Sequence, residues 1–89
     1  MALFDLLGRR WALRVVWELR EDGLTFRELQ DRCEGMSSSV LNQRLHELRD
    51  AGVVTLAAEG GYRLTDEGLA LVEALAPLHT WAERWRRRA

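Results

Sequence analysis

The sequence predicts a mainly α domain of the α+β class, with a helix-turn-helix, a short two-stranded wing and a C-terminal helix. Three observations carry this. Two short amphipathic helices follow one another around Gly35, each opened by its own hydroxyl cap, Thr25 and a serine of Ser37–Ser39. A β run, a Glu59-Gly60-Gly61 turn and a return strand come directly after them. A last segment then repeats apolar residues at three-four spacing toward the C-terminus.

The elements follow in chain order. Ala2 to Leu7 is a short apolar helix. Trp11 to Arg20 is a stronger one, and Trp11, Ala12, Leu13, Val15, Val16, Trp17 and Leu19 cover about two-thirds of its circumference. So wide an apolar arc calls for contacts on two sides, one of them in a second subunit. Thr25 and Glu28 form a capping box, in which the hydroxyl accepts from the third helical N–H and the carboxylate accepts from the Thr25 N–H. That helix runs from Phe26 to about Cys33, with Phe26, Leu29 and Cys33 on one face, and Gly35 suits the turn.

Ser37 is the expected cap of the next helix, followed by Ser38 and Ser39 in its first turn. Leu41, Leu45 and Leu48 form its buried stripe and Gly52 ends it. Val53 to Ala57 is the outgoing strand and Tyr62-Arg63-Leu64 the return. Thr65 caps the final helix, with Asp66 and Glu67 in the first turn, where the helix dipole favours acids. Leu71, Ala74, Leu78, Trp81 and Trp85 make a nearly heptad seam, the expected dimerisation surface. Pro77 interrupts it, removes a donor from the Glu73 carbonyl, and predicts a kink. Together these elements spell a winged helix-turn-helix.

Composition narrows the function. Eighty-nine residues suffice for one domain, read here as 1–89, with a modest core that oligomerisation would reinforce. The profile of 47% hydrophobic and 30% charged residues with one proline is that of an ordered, helix-rich chain. The net charge is −1, and all 13 basic residues are arginine, so any basic face depends on distribution and not on the total. Cys33 stands alone, which excludes an internal disulfide and a cysteine metal box and points to a reducing cytoplasm. The N-terminus lacks a basic n-region, so no secretory signal is expected, and no window reaches the ~20 apolar residues of a membrane span. His46 and His79 are too few for a metal site. With no nucleophile-base arrangement and no phosphate-binding glycine loop, neither catalysis nor a cofactor is expected.

The sharpest functional signal is the face opposite the Leu41–Leu45–Leu48 stripe. Ser39, Asn42, Gln43 and His46, with Ser38 beside them, are uncharged hydrogen-bonding residues where a merely solvated face usually carries charges. Asn and Gln match adenine N6/N7, and serine pairs with several bases. Arg44 and Arg49 on the same helix, Arg9 and Arg10 ahead of the first core helix, and Arg27 are phosphate-clamp candidates, with Arg44, Arg10 and Arg9 foremost. Surface pairs at helical spacing, Arg27–Asp31 and Arg32–Glu28, are the competing use of such arginines. Arg63 on the return strand is placed to touch backbone or minor groove. The tail Arg84, Arg86, Arg87, Arg88 complements the helix dipole or adds a phosphate contact, the former being favoured. Trp11, Trp17, Trp81 and Trp85 read first as core and dimer interface, and second as a ligand pocket. Cys33, on an apolar face, reads as an inert thiol before a sensor.

Five segments in register extend the picture: Leu-Leu-Gly-Arg-Arg-Trp (6–11), Thr-Phe-Arg-Glu-Leu (25–29), Ser-Ser-Ser-Val-Leu-Asn-Gln-Arg-Leu-His-Glu-Leu (37–48), Ala-Gly-Val-Val (51–54) and Tyr-Arg-Leu-Thr-Asp-Glu-Gly (62–68). In this order they resemble the HxlR-type winged-helix transcriptional regulators over nearly the whole chain. The resemblance implies a small bacterial homodimer that binds operator DNA. The family's thiol switch is not carried over, because no cysteine precedes Trp11. Ser39 stands where the family usually has a basic residue, and the wing is short with Glu59 at its tip.

The expected function is a dimeric, sequence-specific, double-stranded-DNA-binding regulator that reads half-sites with helix 37–51 and pairs through its N-terminal and C-terminal helices. The alternative is a winged-helix module in which the same face docks a protein and no DNA, a reading that the acidic wing tip and near-neutral charge favour.

Overall fold

The computed structural model describes residues 2–88. Met1 and Ala89, the ends of the expected 1–89 domain, lie outside the described residues. The elements are α1 (Ala2–Leu7), α2 (Ala12–Glu18), α3 (Phe26–Arg32), α4 (Ser38–Asp50), β1 (Val54–Leu56), β2 (Tyr62–Leu64) and α5 (Asp66–Arg88). The predicted order and winged helix-turn-helix class hold.

Local chemistry explains most boundaries. Thr25 Oγ1 accepts from the Glu28 N–H at 3.1 Å and Glu28 Oε1 accepts from the Thr25 N–H at 2.9 Å, completing the predicted capping box of α3. Ser37 caps α4 by accepting from the Val40 N–H at 3.2 Å. Thr65 caps α5, accepting from the Gly68 N–H at 3.1 Å while its hydroxyl donates back to the Gly52 carbonyl. One side chain therefore joins the end of α4 to the start of α5. Strand β1 begins one residue later than predicted, because the Val53 N–H closes the end of α4 on the Leu48 carbonyl at 2.9 Å. α5 continues through Pro77 as one helical run.

Helix α2 is shorter than the predicted Trp11–Arg20. Trp11 lies outside it at φ 78°, and the Arg20 N–H returns to the Trp17 carbonyl at 3.2 Å, a tight turn that ends the helix. Its wide apolar arc is satisfied largely within the chain. Ala12, Val15, Val16 and Leu19 are buried, and α1, α3, α4 and α5 all pack on α2. Trp17 is half-buried, with its ring stacked on His79 at 4.5 Å. Trp11, Leu13 and Trp17 remain only partly covered, and Leu13 and Trp17 line an open groove.

The core joins α2, α3, α4 and the hairpin through Val16, Leu29, Leu41, Leu48, Val54 and Leu64. β1 and β2 pair antiparallel with Val54 opposite Leu64 and Leu56 opposite Tyr62. A third segment joins them at one point: Leu24 and Tyr62 exchange both backbone hydrogen bonds, at 2.9 and 2.7 Å. Gly61 does more than turn the hairpin. It is buried, and a Cβ there would sit 2.8 Å from the Leu24 carbonyl oxygen. Gly68 is likewise pressed on the Val53 carbonyl, which lets α5 start against the hairpin.

Beyond its first turns α5 leaves the core. Leu78, Trp81 and Trp85 are 54%, 50% and 58% exposed, and Leu3 and Phe4 of α1 are 49% and 68% exposed. No helix among the described residues is long and apolar enough to cross a membrane.

Candidate nucleic-acid interface

The candidate interface is built on α4. Leu41, Leu45 and Leu48 are at most 2% exposed, and they lock the rotation of the helix about its axis. The rotation leaves Ser38, Ser39, Asn42, Gln43, His46 and Arg49 facing solvent. The N-terminal turn is held from two sides. Ser37 caps it, and Gln30 of α3 donates from Nε2 to Ser38 Oγ at 2.9 Å. Gln30 was not among the expected site residues, since nothing in its spacing announces a partner eight positions away. His46 faces Asp50 one turn on, with Nε2 3.3 Å from the carboxylate.

The arginines divide. Arg10 is exposed, its guanidinium 5.6 Å from the centroid of the Trp11 ring. Arg9 is half exposed and sits 3.4 Å from Glu47. Arg63 is exposed on β2, paired in register with Thr55. Arg44, foremost among the expected clamps, turns inward. Its side chain is 12% exposed, Nε donates to the Arg10 carbonyl at 2.9 Å, and a terminal nitrogen bonds the Glu47 carboxylate. Arg44 and Glu47 therefore tie the α1–α2 turn to α4. Their i,i+3 spacing was the available signal for one half of this bracket, whereas the Arg10 carbonyl is a tertiary partner.

Of the competing surface pairs, that of Arg32 rearranges. Arg32 reaches Glu18 at 3.8 Å, not Glu28, whose carboxylate is occupied by the cap. Arg14 joins the same Glu18 at 2.7 Å and donates to the Arg32 carbonyl at 2.9 Å. These contacts stitch α2 to α3.

The four tryptophans do not share a pocket. Trp81 and Trp85 stack at 5.9 Å and line an open groove of about 310 Å³ with Arg84 and Arg88. Trp17 lines a second groove with Leu13, Leu75, Leu78 and His79, and Trp11 a third with Leu7, Arg9 and Arg10. Cys33 is fully buried, and its burial pushes the thiol above the usual thiol range, while Arg14 opposes and Glu18 adds to the shift. No group of three or more metal-ligating side chains occurs among the described residues.

The sequence model described as HxlR-like helix-turn-helix matches residues 6–89. The HTH-type transcriptional regulator YvaP of Bacillus subtilis is 33% identical over 87 residues, covering 91% of this chain and 81% of that protein. The HTH-type transcriptional regulator YodB of the same organism is 27% identical over 88 residues, 92% of this chain and 79% of that one. A crystal structure of quinone-bound YodB superposes with a TM-score of 0.85 at 29% identity, covering 93% of each chain.

Proposed function

We propose that this chain, which belongs to the HxlR-like helix-turn-helix family and is a DNA-binding transcriptional regulator, reads double-stranded operators as a two-fold homodimer. One α4 enters the major groove of each half-site. The observation that carries this reading is the outward face of α4: Ser39, Asn42, Gln43 and His46 are exposed, opposite leucines that cannot rotate away. Gln43 and Asn42 read base edges, and Ser38, Ser39 and His46 contact bases or phosphate. Arg9, Arg10 and Arg63 hold phosphates. Arg44 is the exception among the expected clamps, since its side chain turns inward to bond the Arg10 carbonyl and the Glu47 carboxylate. Relatives that are transcriptional regulators favour this reading over a protein-docking module.

Pairing through α1 and α5 is part of the same proposal. Both elements expose large apolar side chains at the two ends of the chain, and a two-fold arrangement buries them together. Residues 1–89 act as a single domain in the cytoplasm. The test is selection of bound sequences from a random duplex pool, with light scattering of the free protein. An inverted repeat whose half-sites lie about 34 Å apart supports the mechanism. A stable, fully folded 10.3 kDa monomer at micromolar concentration rules out the two-half-site form.

A further inference from the structure

We infer that Glu47 is a positioning residue, which fixes the α1–α2 turn against the DNA-reading helix and so keeps the phosphate contacts in register with the base contacts. The inference rests on the reading of α4 as the helix that enters the groove, and it deepens that reading.

Three contacts converge on one carboxylate and its neighbour. Arg9 lies 3.4 Å from Glu47 Oε2, Arg44 binds Oε1, and Arg44 Nε donates at 2.9 Å to the Arg10 carbonyl. Glu47 and Arg44 are both on α4, while Arg9 and Arg10 are both in the turn between α1 and α2. The pairing is therefore between elements, and it is tripartite. An isolated surface ion pair positions little, because two long side chains wander. Here the Arg44 side chain is 12% exposed and that of Glu47 22% exposed, and the guanidinium spends two edges at once.

The turn needs such a fastening. It holds Trp11 at φ 78°, the left-handed region that a bulky aromatic seldom enters. A conformation of that kind persists only where surrounding contacts over-determine it. With the bracket closed, Arg10 projects its guanidinium outward over the Trp11 ring while its backbone is held by Arg44. The base-reading face of α4 and the arginines beside it then move as one body. Glu47 itself needs no contact with DNA for this.

The alternative role for Glu47 is charge cancellation, in which it merely neutralises Arg9 and repels phosphate. The two roles predict opposite results for Glu47→Gln. The experiment measures binding of the wild type and of Glu47→Gln to the duplex enriched by selection and to a scrambled duplex, at two salt concentrations. Positioning predicts that affinity for the enriched duplex falls about tenfold while the scrambled duplex is bound as well or better, so the specificity ratio drops. Arg44→Lys keeps the charge but loses the planar fork that serves the carbonyl and the carboxylate together, and the same drop is expected with an unchanged salt slope. If Glu47→Gln fails to fold by circular dichroism, Arg44→Lys decides alone. Tightening on both duplexes alike, or an unchanged ratio in a folded variant, overturns the inference and leaves the α4 reading intact. A wild type that prefers no duplex overturns both.

Discussion

The imidazole of His79 stacks on the indole of Trp17, with centroids 4.5 Å apart and planes inclined by 29°. On the same indole the Arg20 guanidinium lies 4.3 Å from the centroid. One tryptophan at the end of α2 thus joins α5 to the core, just where α5 begins to project from it. Trp17→Ala should destabilise the chain by about 2–4 kcal/mol through lost area and a partial cavity. Urea unfolding checks the value, and a loss below about 0.5 kcal/mol would show that α5 is held by other contacts.

Gln43→Ala is expected to cost about 1–3 kcal/mol on the selected operator and to flatten preference at one or two base positions. Arg10→Ala should instead weaken all duplexes alike and lower the salt slope by about one. Titrations at several salt concentrations separate the two behaviours. Equal losses of preference in both variants would contradict the division of labour.

Cys33 should be chemically quiet. Burial removes the thiolate from solvent and raises the pH at which it forms, so alkylation of the native protein should be slow and should track unfolding. DNA binding by Cys33→Ala and by the wild type should respond identically to mild oxidant. Rapid labelling under native conditions, or an oxidant response that the variant lacks, counts against this.

The α3 cap predicts a pH signature. Hydrogen bonds from the Thr25 backbone and side chain hold the Glu28 carboxyl below its ordinary value of 4.5, with Arg32 adding a smaller pull. A carboxylate with a depressed folded pKa stabilises the fold above the unfolded value, and the benefit fades as pH falls through the folded one. The difference in Tm between the wild type and Glu28→Ala should therefore be constant at neutral pH and shrink below pH 4.5. A difference that grows on acidification would reverse the sign and refute the assignment.

What the sequence disclosed and what it concealed differ by the range of the interaction. The capping box at Thr25, the Ser37 cap and the Leu41–Leu45–Leu48 stripe are set within a turn or two of helix, and spacing alone reveals them. The direction of the Arg44 side chain is not local, because its partner is a carbonyl contributed by another element. The same holds for Arg32, whose i,i+4 acid is already engaged in a cap, and for Gly61, whose need to be glycine comes from the Leu24 backbone. The apolar arc of α2 was visible, but four elements of the same chain pack on that helix. The exposed row on α4 was legible because the buried stripe dictates it.

The Leu24–Tyr62 bridge also orders events in time. It joins segments separated by α3, α4 and β1, so it is a long-range closure that local helix formation must precede. Helix formation is faster than closure of a loop of that span, so the bridge is expected to form after α3 and α4 have taken shape. A refolding chain is therefore expected to complete its wing on helices that are already formed, with Leu24 and Tyr62 as the last strand partners to meet.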